Sequence, residues 1–320
     1  MSIKTIHVAA IQMDALFGQR DNNLARASTY IQQAAKKHAQ LILLPEFLPN
    51  GYGLNESVWE GAEPIHGPSV NWLKEQAKTH NTYIGFTFLE TDGTDFFNTF
   101  VLTNPEGEIA GQVRKTPAPA VESYFYKSGE GSHVIETDLG RIGVNICYEV
   151  LLHERVNDLY ESDIDLCLQP CAGARPKPFL PGDQKRLEEA WLNGRKIHHK
   201  ALGVPIIMAN RVGKIEGRLP SIMGHLKSSF LGGSYISDSN GQVLKEMDTR
   251  SEEGVIVSQV TLAPKNKPKA PPKKYGKIWA IDMPWLSFLY PLTQPWGDKA
   301  YSKSSKRRAM AQKKYLAYTV

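Results

Sequence analysis

Apolar and polar positions alternate with a period of two through residues 5 to 13, TIHVAAIQM, which predicts a strand. Asp21 then stands where a helix cap belongs. Leu24, Ile31, Ala34 and His38 follow on one stripe at helical spacing, so a helix to about His38 is expected. LILLPEF, residues 41 to 47, is read as a short strand whose opening run Leu41 to Leu44 is fully apolar, as a strand covered on both faces must be. A helix from about Ser69 to His80 leads to the strand YIGFTFLE, and TFVLTNPEGEIAGQVRK reads as a hairpin turning at Asn104 to Gly107. A second hairpin, HVIETDLGRIGVNIC, turns at Asp138 to Arg141 and delivers the chain to Cys147. Next come a helical stretch around Leu151 to Tyr160, the strand IDLCLQP, a long helix from about Asp183 to Leu202 and the strand VPIIMAN. GGSYISDSNGQVLKEMD turns at Asn240-Gly241, and EGVIVSQVTL supplies one more strand. The second half thus repeats the alternation of the first, which predicts two sheets of similar construction with helices outside. From Ala263 onward Pro and Lys dominate, so residues 263–320 are expected to form an extended arm, regular only from about Ser304 to Leu316.

Composition narrows the class. A chain of 320 residues can bury a substantial core as one large domain or two ordinary ones. No run of eighteen apolar residues occurs, and the N-terminal segment breaks too early for the apolar region of a secretory signal. Three cysteines, at 147, 167 and 171, are a poor basis for a disulfide scaffold, so reduced thiols and a cytoplasmic location are expected. Charge is uneven. From Thr261 to the end there are 13 Lys and Arg against 2 Asp, a balance of +11 that leaves −6 for residues 1–260 out of the net +5. A basic tail can serve nucleic acid or an anionic surface. Here Pro and Trp interleave in MPWLSFLYPLTQPWG, which points to docking on a protein surface, so neither nucleic acid nor membrane is expected as a partner.

One thiol occupies a position with chemical meaning. Cys147 ends an apolar strand just before a helix start, which would set its sulfur near backbone N–H groups and a positive helix end, both favouring thiolate. Cysteines in strands are more often inert packing residues, and Cys167, mid-strand, is read that way. A nucleophilic thiol needs a base. His153, His198 and His199 lie within predicted helices and read as surface or packing residues. Glu46 ends LILLPE, where buried surroundings would raise a carboxyl pKa toward the range of a general base. Lys115 ends the strand GEIAGQVRK. Glu46 or Lys115 alone reads as a solvated charge. With Cys147, however, they all terminate apolar strands, and the edge beyond strand carboxyl ends is where open α/β sheets gather ligands. Cys171, after Pro170, can face the same edge, and Tyr52, Tyr124 and Phe125 are either pocket walls or plain core. The spacing of Cys167 and Cys171 lacks a second ligand pair, so no metal is expected. No phosphate loop or dinucleotide fingerprint is present, and SGEGS at 128–132 reads as a turn.

LLPEFLPNGY, RKTPAPAVESYFYKSGEG and GRIGVNICYE stand in an order and spacing that resemble the nitrilase superfamily, the carbon–nitrogen hydrolases. The likeness continues through IDLCLQPCAGA, RKIHHKALGVPIIMANRVG and GGSYISDSNGQVL, covering about residues 5 to 262. It implies an α/β fold, a four-layer αββα sandwich, over a carbon–nitrogen hydrolase domain at 1–262. It also implies a Glu-Lys-Cys triad of Glu46, Lys115 and Cys147, with Glu122 of AVESYF as a second glutamate in the pocket. The backbone N–H of Tyr148 would complete an oxyanion hole, with Tyr52, Tyr124 and Cys171 toward the substrate. The chain departs from many relatives after the nucleophile: CYEVLLHE keeps Tyr148 and Glu149 but has no Phe-Pro.

The resemblance, together with these residue types, implies a cofactor-free thiol hydrolase of non-peptide C–N bonds, releasing ammonia from a small carboxamide through a thioester. Nitrile hydrolysis and N-carbamoyl cleavage are the neighbouring alternatives. A catalytically silent assembly protein using the basic tail is the alternative from another class. The resemblance further implies a homodimer or larger homo-oligomer.

Overall fold

The computed structural model describes residues 4–175, 182–220, 224–247, 252–262, 270–283 and 289–319. The alternation in the first strand, β1 (Lys4–Gln12), sets the layering. Ile6, Val8 and Ala10 point to one side and Ala9 and Ile11 to the other, and both sets are buried. Outward, Ala9 and Ile11 meet Leu24, Ala27, Ile31 and Ala34 of α1 (Arg20–Ala35) and Val70, Leu73 and Ala77 of α2 (Pro68–His80). Inward, the other set joins Leu41 and Leu43 of β2 (Leu41–Leu43), which is sandwiched between parallel neighbours and so is apolar on both faces. The chain continues through β3 (Tyr83–Thr91), β4 (Phe96–Thr103) and β5 (Ile109–Arg114).

The second half builds a matching layer pair. Its elements are β6 (Val134–Thr137), β7 (Gly140–Val144), α3 (His153–Glu161), β8 (Leu166–Pro170), α4 (Asp183–Leu202) and β9 (Ile206–Ala209). A hairpin of β10 (Lys214–Arg218) and β11 (His225–Ser229) follows, then β12 (Tyr235–Ser237), β13 (Val243–Glu246) and β14 (Gly254–Leu262). The first sheet runs β14-β1-β2-β3-β4-β5 and the second β13-β12-β9-β8-β7-β6. Ile142, Val144, Leu166, Leu168 and Ile207 face the first sheet across a shared core, while Cys167, Ile206 and Met208 face Val156 and Leu159 of α3 and Ala201 and Leu202 of α4. The architecture is a four-layer αββα sandwich. Each fully buried Leu or Ile in that central layer contributes about 1.5–3 kcal/mol.

Three local expectations are corrected. The N-cap of α1 is Gln19, which makes no side-chain cap, and Asp21 sits exposed in the first turn beside Arg20. Asn23 organises that corner instead, accepting the Leu16 N–H at 2.8 Å and donating to Leu16 O at 2.7 Å and Pro49 O at 2.9 Å. His38 lies beyond the helix, exposed, at φ 60°. The β10–β11 hairpin carries no strong alternation and was not expected from the sequence.

The C-terminal extension is more regular than the expected arm. Residues 263–269 and 284–288, where part of that arm was placed, lie outside the described residues. The remainder includes α5 (Leu289–Lys303, with Pro295 inside it) and α6 (Ser305–Leu316). Both dock on the first half. The Tyr301 hydroxyl accepts the Phe96 N–H at 2.8 Å and donates to Asp95, and Arg307 donates to Asp95 and to Thr94 O. Among the described residues no helix is long and apolar enough to cross a membrane.

Candidate active site

Because β5 runs antiparallel to β4 and β4 to β3, the ends of β2, β3 and β5 lie at one edge of the first sheet. The ends of parallel β7, β8 and β9 form the matching edge of the second. The two edges are laced together: Glu46 N–H donates to Cys171 O at 3.3 Å, and Met13 bridges to Arg211. Glu46 follows β2 by three residues, Lys115 follows β5 at once and Cys147 follows β7 by three. Strand ends that are far apart in sequence therefore deliver a carboxylate, an ammonium and a thiol to one place.

The geometry there is tight. Lys115 Nζ donates to Glu46 Oε1 at 2.8 Å and to both oxygens of Glu122, at 3.1 and 2.9 Å. All three side chains are buried, Glu46 completely. Asn98 donates to the same Glu46 oxygen at 2.7 Å, leaving Glu46 Oε2 buried without a hydrogen-bond partner. The Tyr52 hydroxyl donates to Glu122 Oε1 at 2.7 Å. Burial depresses the Lys115 ammonium, but the carboxylates of Glu122 and Glu46 outweigh it and hold the pKa well above the ordinary lysine value. Glu122 is pushed up by burial, with Lys115 opposing and Glu46 adding to the rise. Burial likewise drives the Tyr52 and Tyr126 phenols well up, so both are O–H donors at neutral pH.

Cys147 departs from the thiolate expected at a helix end. The first turn after β7 is a five-residue 3-10 turn, Cys147–Leu151, and α3 starts only at His153, so no helix dipole of useful length points at the sulfur. A hydrogen bond with Cys171, then burial and the nearby Glu46, hold the thiol well above the usual cysteine value, with Lys115 opposing. That raised pKa favours the neutral thiol, and Cys147 retains partial access.

Cys147 also sits at φ 50°, a left-handed conformation costing about 1–3 kcal/mol for a residue with a side chain. Glu149 holds it there. Its fully buried carboxylate accepts the Ile146 N–H and the Thr116 N–H at 2.5 Å each and meets His133 Nε2 at 2.9 Å. One side chain thereby ties the turn before the thiol to the residue after Lys115. Burial works against the His133 imidazolium, but Glu149 prevails and raises its pKa.

The other candidates separate. Cys171 is buried against Cys147, whereas Cys167, pushed up to about 12 by burial, faces the helices. Tyr124 lies beneath α5, in the apolar cluster around Trp59 and Phe125. His198 is buried and neutral, its pKa lowered to about 4 by burial, and it links Gln169 of β8 to Val150 O just past the nucleophile. Three contributors escaped the sequence reading. Tyr126 packs on Phe47 and lies in the field of Glu122 and Glu46. Arg211 lies buried over Phe230, whose ring also meets Tyr52. Its Nε and Nη1 have no hydrogen-bond partner, and burial lowers its pKa to about 10. Glu149 is the third, signalled only by its place two residues after the thiol. Among the described residues no three His, Cys, Asp or Glu side chains are arranged to hold a metal ion.

Comparison with known proteins places this geometry in a family. The carbon-nitrogen hydrolase family model matches residues 7–264. A nitrilase of Pyrococcus abyssi is 29% identical over 261 residues, covering 80% of this chain and 90% of that protein. A citrullinase of Francisella tularensis is 26% identical over 267 residues, covering 81% and 90%. The crystal structure of a carbon-nitrogen hydrolase from Helicobacter pylori G27 shares the fold, with a TM-score of 0.72 at 22% identity over 81% of this chain and 90% of that one. With the sandwich in place and the family model spanning both sheets, the chain belongs to the carbon-nitrogen hydrolases of the nitrilase superfamily.

Proposed function

We propose that the protein is a cysteine hydrolase that converts a small carboxamide to carboxylate and ammonia through a thioester on Cys147. The observation that carries this reading is the shared ammonium: Lys115 Nζ at 2.8 Å from Glu46 and 2.9 Å from Glu122, at the edge where Cys147 emerges. Glu46, with one oxygen anchored and Oε2 unpartnered, is the general base. It takes the thiol proton as sulfur attacks the carbonyl carbon, which suits a thiol that is neutral at rest. The oxyanion is held by Lys115 and the backbone N–H of Tyr148. Losing one such donor typically costs ~10²–10³ in rate. Glu46 returns the proton to the departing nitrogen, ammonia leaves, and a water deprotonated by Glu46 cleaves the thioester to release the acid. Glu122 orients the ammonium, and Tyr52 orients Glu122.

The relatives named nitrilase and citrullinase support testing nitriles and ureido compounds beside amides. The decisive experiment is ammonia release across amides, nitriles and N-carbamoyl compounds, run beside Cys147→Ala. Activity on one class that vanishes in the variant, with an acyl adduct on the Cys147 peptide by mass spectrometry, supports the reading. No ammonia and no adduct from any class would overturn it.

A further inference from the structure

The family model ends at residue 264, yet the chain continues and returns to the site. Trp279 and Ile281 pack beside Tyr148, Leu151 and Leu152 at the turn after Cys147, and Ala280 packs against Val156 and Leu159 of α3. Ala280 N–H donates to Leu151 O and His153 N–H to Ile278 O, both at 2.8 Å. After the segment at 284–288, Tyr290 stacks on Tyr148 with centroids 5.6 Å apart and ring planes 29° apart. Tyr148 directly follows the thiol. From there α5 runs over the turn that carries Glu122. Ser123 Oγ donates to Gln294 O at 3.2 Å, and α5 approaches so closely that a Cβ on Gly297 would stand 1.9 Å from Ser123 Oγ and 2.9 Å from Tyr124.

One extension therefore touches both the residue beside Cys147 and the residue beside Glu122, and Tyr290 lies between these contacts. Tyr290 is 36% exposed, so the residue reaches solvent while its ring rests on Tyr148. Its hydroxyl is withdrawn from water and lies in the electrostatic field of Cys147 and Glu122, which together with that desolvation raises its pKa. An aromatic that reaches solvent and sets its hydroxyl in the field of the reacting groups has the placement of a wall at the mouth of a pocket.

We propose that the C-terminal extension closes the substrate site within the same chain, with Tyr290 as the specificity-determining wall that limits the size of the group admitted to Cys147. This rests on the reading of Cys147 as nucleophile, so the primary test does not require turnover. The full chain, Tyr290→Ala, Tyr290→Phe and Gly297→Ala are alkylated with iodoacetamide and with the bulkier N-ethylmaleimide, and the Cys147 peptide is quantified by mass spectrometry. Tyr290→Ala is expected to raise the bulky-to-small rate ratio roughly tenfold, the scale on which pocket walls discriminate. Tyr290→Phe, which keeps the ring, should retain the wild-type ratio. Gly297→Ala, which must lift α5, should move the ratio the same way as Tyr290→Ala. An unchanged ratio in both Tyr290→Ala and Gly297→Ala overturns the proposal. If amide hydrolysis is present, Tyr290→Ala should also raise kcat/KM for long acyl chains relative to acetamide. A ratio that follows Tyr290 with no ammonia and no acyl adduct from any amide, nitrile or N-carbamoyl compound keeps the wall and discards the hydrolase reading.

Discussion

Two charge clusters, one buried throughout and one with an exposed lysine, hold opposite balances. At the strand edge one ammonium, Lys115, serves two carboxylates, Glu46 and Glu122. At the seat of the C-terminal helices one carboxylate, Asp95, serves two cations, Arg307 and Lys127, and also accepts from the Tyr301 hydroxyl. Burial, with Glu46 adding to it, raises Glu122, and Glu46 Oε2 is left without a partner, as the proposed proton transfers require. In the second, both oxygens of Asp95 are engaged and the arrangement fastens α5 and α6 to β4. The same ingredients thus serve a proposed reaction centre or a clasp according to which charge is in surplus.

The largest effect expected is for Cys147→Ala, which should reduce ammonia release by at least roughly 10⁴-fold while the circular dichroism spectrum is unchanged. Lys115→Met should lower kcat by ~10²–10³ and also destabilise the fold, because two buried carboxylates lose their cation. Adding Glu122→Gln, which removes a carboxylate whose proposed part is only to orient that ammonium, should recover stability, read by urea unfolding, without recovering turnover. That split would separate the ammonium's chemical role from its structural one. Asp95→Asn should do the reverse. It is expected to cost about 3 kcal/mol, confined to the extension, seen as faster hydrogen exchange in α5 and α6 while small-amide turnover persists.

Glu149→Gln tests a carboxylate that is neither reagent nor clasp but splints the nucleophile's turn. Loss of its charge should cost about 1.5–3 kcal/mol, and the Cys147 alkylation rate should change with it. A stability loss with unaltered alkylation would reduce Glu149 to a packing role. The smallest effect is pH-linked. Cys147 binds its proton more tightly folded than unfolded, so the stability it contributes is present below the unfolded thiol value of about 8.5 and is lost as pH rises toward the raised folded value. Cys147→Ala should flatten that alkaline limb of the stability curve. A limb unchanged by the substitution would show that the thiol is not strongly perturbed.

Strand and helix positions were legible because burial imposes periodicity: the two-residue alternation of β1 and the continuous apolar run before Glu46 each report which faces are covered. The separate arrival of Glu46, Lys115 and Cys147 at strand ends was legible for the same reason. Glu149 was not, since nothing local distinguishes a carboxylate that splints two backbones from one that caps a turn. Asp21 misled because cap propensity is weaker than the tertiary bonds of Asn23 to Leu16 and Pro49. The extension misled at α5, because Pro and Lys signal an arm, whereas burial of Tyr301 against the first half makes helix there; α6 falls on the residues expected to be regular.

Most of the element order, the two covered sheets and the arrival of Glu46, Lys115 and Cys147 at strand ends were determined by local pattern, because periodicity and residue chemistry are properties of short stretches. The protonation state of Cys147 was decided by tertiary structure alone. Its controlling neighbours, Cys171, Glu46 and Lys115, come from three other strand ends, and electrostatic energy depends on distances through space that no neighbouring residues in the chain record.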